Sequence, residues 1–130
     1  MSQIRATTIS DAAGTGPIAL TGQSAAKAWV NFSPSGSSIS DAFNVSSLTD
    51  NATGDFSHNF SSSMANSTYS ISGDVGHTGS TTNGTLFCRL RQNTDMATSS
   101  VRVNIGYVTA SSAAFVDYTM AVNAIHGDLA

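Results

Sequence analysis

AAKAWVNF, residues 25–32, and DAFNVSSLTDNATGDFSHNFSSSM, residues 41–64, decide the fold. In the first run Ala26, Ala28, Val30 and Phe32 share one face, and Lys27, Trp29 and Asn31 share the other. Alternation of period two is the mark of a strand with one buried face. Residues 33–38, SPSGSS, break the run as a loop. Residues 42–48 then read as a second strand, with Phe43 and Val45 on one face. TDNATGD, residues 49–55, is a tight polar turn, because Asp and Asn tolerate left-handed backbone and Gly54 adopts it freely. Phe56, His58 and Phe60 follow, alternating with Asp55, Ser57 and Asn59. No helical period occurs in either run.

Working outward, the same pattern continues. Tyr69, Ile71 and Gly73 extend the sheet, and residues 76–84 form a Gly-rich surface loop. Residues 86–91 read as a strand and residues 92–99 as the return. Val101, Val103, Ile105 and Tyr107 alternate with Arg102, Asn104 and Gly106. A last strand is expected over 114–125. In it Val116, Tyr118, Met120 and Val122 face one way, and Phe115, Asp117, Thr119 and Ala121 the other. That gives about seven strands at the spacing of a β-sandwich. Trp29, Phe87, Phe115 and Ile125 fall on the nominally polar faces, either packed under loops at an edge or forming a subunit interface.

Residues 1–24 read as a separate arm. Ile4, Ala6 and Thr8 suit a short strand, residues 11–17 a turn, and residues 18–20 a second short apolar run. Two-stranded elements are marginal alone. The arm is therefore expected to pack on the 25–130 domain, on a neighbouring subunit or on another protein.

Composition agrees with an all-β chain. Of 130 residues, 46 are Ser, Thr or Asn, there is no Glu, and Lys27 is the only Lys. The strong helix formers are scarce, and the residues that favour caps, turns and strand faces are abundant. A chain of this length buries a working core without disulfides. Net charge is −3, and Arg89, Arg91, Arg5, Lys27 and Arg102 form no basic stripe, so nothing marks a nucleic-acid partner. Cys88 alternates with Leu86 and Leu90 and reads as a small buried apolar residue. Residues 1–5 have no apolar signal region, and no run reaches the length of a membrane helix. The expectation is synthesis in a cytosol without a cleaved signal and without membrane insertion. Asn-x-Ser/Thr occurs at Asn31, Asn44, Asn51, Asn59, Asn66 and Asn83, which read as turn and strand chemistry.

Site chemistry is sparse. Asp50-Asn51-x-x-Gly54-Asp55 lacks the alternating oxygens and the Glu of a calcium loop, and reads as a turn. His58, His77 and His126 are dispersed and show no metal-ligand spacing. Without Glu, and with only Asp117 well inside an expected strand, no carboxylate pair suits glycoside hydrolysis. No nucleophile elbow or phosphate loop occurs. The expectation is a non-enzymatic chain with no catalytic, cofactor or metal residues.

Residues 25–64 resemble a segment of small tail-fibre and virion surface proteins of bacteriophages. That family reads A-K-A-W-V-N-F, a Gly/Ser-rich gap, then S-F-N-V-S-S-[IL]-T-D-N-G-T-G-D-[YF]-x-V-N-F. Here Ala52 stands in the N-G-T step and His58 where Val is common. The opening QIRATTISD, residues 3–11, resembles the family's first segment. The resemblance implies an antiparallel β-sandwich or jelly-roll-like domain, a homotrimer, and a place on the virion. It implies an arm at residues 1–24 that anchors to another virion protein or holds the trimer. Loops 33–40, 76–84 and 92–99 are then the candidates to meet a host glycan or protein. A tail-fibre role in host attachment leads, a capsid decoration or head-fibre role is second, and a soluble glycan-binding module is third. A chain this short suits a stand-alone accessory subunit.

Overall fold

The computed structural model describes residues 25–76, 84–92 and 95–130. Nine strands form among them: β1 Ala28–Ser33, β2 Ser38–Phe43, β3 Val45–Ala52, β4 Asp55–Phe60, β5 Ser70–Gly76, β6 Thr85–Leu90, β7 Ser100–Val108, β8 Ala113–Phe115 and β9 Met120–His126. They make two antiparallel sheets, ordered β2-β1-β9-β5 and β3-β4-β7-β6, packed face to face as a β-sandwich. One edge of β7 is shared. β4 pairs with its first half, and β8 takes over at Gly106–Val108.

Alternation builds the core. Val30 and Phe32 of β1 and Ala121 and Ile125 of β9 point inward from one sheet. Phe56 and His58 of β4 and Val101, Val103 and Ile105 of β7 meet them from the other, all at or below 1% exposure. Phe32 stands edge-on to Phe56, centroids 5.6 Å apart, and to His58 at 4.8 Å. Each large apolar side chain buried this way contributes about 1.5–3 kcal/mol. Tyr69 closes one end, with its hydroxyl shared between the carbonyls of Ala97 (2.9 Å) and Ser100 (3.0 Å).

Two expected strands are each two strands. The 42–48 run breaks at Asn44, whose φ is 57°, and the chain passes there from one sheet to the other. Phe43 is consequently outward and 51% exposed, while Val45 is buried, so they do not share a face. The 114–125 run breaks between Phe115 and Met120, again changing sheets. The break shifts the phase. Tyr118 and Ala121 are buried and Met120 is exposed, and Ile125, expected on a polar face, is in the centre of the core. Asp117 lies in that break rather than in a strand.

Turns are shorter than the sequence suggests. β2 begins at Ser38, inside the expected 33–40 loop, and β3 runs on to Ala52, leaving Thr53 and Gly54 to turn the chain. Gly54 has φ 64°. Its amide donates to Asp117 Oδ1 (2.6 Å), and its carbonyl accepts from Ile105 N (2.8 Å) and Asn104 Nδ2 (3.1 Å). The arm, residues 1–24, and most of loop 76–84, with His77, lie outside the described residues.

Candidate functional site

Among the described residues, the thiol of Cys88 and the imidazole of His58 are in the core, while His126 is half-buried. Asn123 of β9 sits between His58 and Cys88. His58 Nε2 is 2.9 Å from Asn123 Oδ1, and Cys88 Sγ donates to the same oxygen at 3.3 Å. Asn123 Nδ2 points to the Ser72 carbonyl at 3.4 Å. The shared acceptor fixes the tautomer: Nε2 carries the proton, and Nδ1 is a buried lone pair with no partner. Cys, His and Asn are the residue types of one cysteine-protease triad, but the roles do not match. Here Asn lies between the other two and takes a hydrogen bond from each. Burial pushes the His58 pKa down to about 4, against the raising effect of the Asn123 hydrogen bond. Burial pushes the Cys88 thiol up to about 11, opposed by Asn123 and reinforced by the Asp74 charge. Both groups are therefore neutral at pH 7, and a neutral buried thiol is inert.

Charge gathers at one point that the sequence leaves scattered. Asp55, at the start of β4, takes a two-pronged bond from Arg102 (Nε 2.6 Å, Nη2 2.8 Å), with Arg91 Nε at 3.5 Å. Arg91 also reaches Asp95 at 3.2 Å. The β4–β7 register, Asp55 opposite Asn104, brings Arg102 within reach. These arginines clamp the sheet and leave no basic patch there. Among the described residues no group of three or more His, Cys, Asp or Glu is placed to hold a metal ion, and no helix is long and apolar enough to cross a membrane.

What the surface offers is apolar side chains on the outward sheet faces. On the four-stranded sheet, Trp29 pairs with Phe43 across β1 and β2; they are 36% and 51% exposed. Beside Trp29 a shallow trough of about 540 Å³ crosses β1, β9 and β5. On the other sheet, Phe87 and Phe115 flank Gly106 in one cross-strand row, ring centroids 6.4 Å apart. A Cβ on Gly106 would run into the Ala114 carbonyl oxygen of β8 and meet Phe87 Cζ at 2.8 Å, so glycine lets β8 pair closely here with the Phe87 ring over the row. The Arg89 guanidinium lies 4.9 Å from the Phe87 ring centre. Val108, 48% exposed, extends the patch.

Of the three expected contact loops, 33–40 is a short corner with Pro34 buried, and the other two are described only in part. Trp29, Phe87 and Phe115 are on outward faces as alternation requires; Ile125 is not. Phe43 was missed, because its break at Asn44 carries no signal in the alternation. No protein-family model, curated protein or solved structure matches the chain.

Proposed function

We propose that this chain is a non-enzymatic structural protein of a bacteriophage virion, a tail-fibre or fibre-tip subunit that contributes to host attachment. The observation that carries the reading is the placement of functional groups. The Cys88 thiol and the His58 imidazole are held neutral in the core, while Trp29, Phe43, Phe87 and Phe115 stand on outward faces. That distribution suits adhesion and assembly rather than covalent chemistry. The resemblance of residues 25–64 to phage surface proteins supplies the biological setting. In this reading the protein is a homotrimer, and the Phe87–Phe115 face is the subunit contact. Residues 1–24 grip another virion protein. Three weak host contacts on one trimer would then act together.

Decoration of the capsid is the alternative, using the same faces without a receptor. Antibody-gold labelling of intact particles separates the two. Gold at fibre tips is the expected result. Gold spread over the head replaces attachment by decoration. Absence of gold from particles, with the protein abundant in the lysate, removes the virion reading altogether.

A further inference from the structure

We infer that the trough on the outer face of β1, β9 and β5 is a saccharide site for a neutral hexose disaccharide or a longer chain containing one. The inference deepens the attachment reading by placing the host contact on a sheet face rather than on the loops. Its lining begins with Trp29, 36% exposed, in the cross-strand row that runs from Phe43 through Trp29 to Ala124 and Ser72. The next row is Asn31, Val122 and Asp74. Small side chains therefore floor the trough, an indole walls one side, and an amide, a hydroxyl and a carboxylate rise around it.

These groups match the two chemistries of a pyranose. One face of the ring is C–H and packs on an aromatic side chain, which Trp29 supplies in the lining. The rim is hydroxyl, which wants acceptors with several lone pairs and amides that both donate and accept. Asp74 is the acceptor, and its carboxylate is set by a bond from Val75 N to Oδ1 at 2.7 Å. Among the described residues no hydrogen bond engages the Asn31 side chain, so its amide is available to a ligand. Trp29 and Asp74 are two strands and one row apart, about 12 Å by strand spacing. One ring on the indole therefore leaves the carboxylate for the next ring along, which sets the minimum at two sugars.

Charge selects among sugars. Asp74 is the one charged residue in the lining, and Asp41 lies opposite Asn31 on β2. Acidic sugars are therefore disfavoured. An apolar peptide is disfavoured too, because it would bury Asp74 and Asn31 without partners.

Trp29 is the only tryptophan, so its fluorescence reports on this site alone. The full chain is titrated with maltose, cellobiose, lactose and N,N′-diacetylchitobiose, with sialyllactose as the acidic comparison. At least one neutral sugar is expected to give a saturable change with Kd of roughly 1 mM or tighter, at least about tenfold tighter than sialyllactose. Saturation-transfer NMR, which does not need the indole, follows the variants. Trp29→Ala should abolish binding and Asp74→Asn weaken it about tenfold, while Ser111→Ala, in the exposed turn between β7 and β8, should leave it unchanged. Unchanged thermal unfolding shows that each variant is folded; both altered side chains in the trough point outward. No saturable response to any neutral sugar overturns the proposal, as does binding that survives both trough substitutions. Because the isolated chain is measured, failure here is separate from failure of gold labelling to find the protein on particles.

Discussion

His58 makes the stability of the sandwich depend on pH. Burial holds its folded pKa near 4, against an ordinary value of 6.5. Between those values the unfolded chain binds more protons than the folded one. The His58 contribution is therefore complete above about pH 6.5 and is lost as pH falls toward 4, up to about 3 kcal/mol in all. From pH 7 to pH 5 the loss is about 2 kcal/mol. His58→Met keeps a side chain of similar size and removes the titration. Urea unfolding of both proteins across that range should show a steeper loss in the parent chain. Equal slopes would mean that His58 is not held neutral by the core. The sequence shows His58 and Cys88 as strand residues at inward positions, and each is buried. That both bond to Asn123 was not legible, because they lie 65 and 35 residues from it and meet only once the two sheets pack.

At the scale of elements, the corner at Asn44 turns one expected strand into two. Its φ of 57° bends the chain out of one sheet and into the other. Its side chain holds the bend: Nδ2 donates to the carbonyls of Lys27 and Ser62, each at 3.1 Å, and Oδ1 accepts from Ser62 N at 2.7 Å. Two substitutions separate backbone from side chain. Asn44→Gly keeps the left-handed geometry and loses three bonds, a cost of about 2 kcal/mol. Asn44→Ala loses the same bonds and adds about 1 kcal/mol of backbone strain. Denaturant unfolding should rank parent above Gly above Ala; an Ala variant as stable as the Gly variant would show that the strain is absent. The same corner marks the limit of sequence reading. Alternation identified β1, β4 and β7 from side chains alone. It ran straight through Asn44 and through residues 116–119, because a change of sheet leaves the local pattern intact. Asx at left-handed φ is the single local cue, and Asn44 sits among eight other Asn in a Ser/Thr-rich chain. Where the phase was carried across the second break, Ile125 landed on the wrong face.

The whole molecule poses the question of what its second apolar face is for. The trough face is lined by amide, hydroxyl and carboxylate groups, whereas the Phe87–Phe115 patch is edged by Val108, Ala113 and Ala114 with Arg89 as its one charge. Phe115 is 50% exposed and Val108 48%. Side chains of that size left in water on a 130-residue chain destabilise a monomer's solubility more than its fold, and a second copy is the partner always present at equal concentration. β8 itself is three residues long and held to β7 only at Gly106–Val108. A contact that covers Phe115 would therefore also brace the weakest strand. In the proposed trimer, Phe115→Ser places a hydroxyl in each subunit contact and leaves the core untouched, since the side chain points outward. Light scattering on the purified chain should give three times the protomer mass for the parent and a shift toward one for the variant. Near-ultraviolet circular dichroism outside the interface should be retained. Parent protein that is monomeric at micromolar concentration would remove the trimer, and with it the multivalent attachment that three weak sugar sites require. A trimer that survives Phe115→Ser would leave multivalency standing and move the subunit contact off this face.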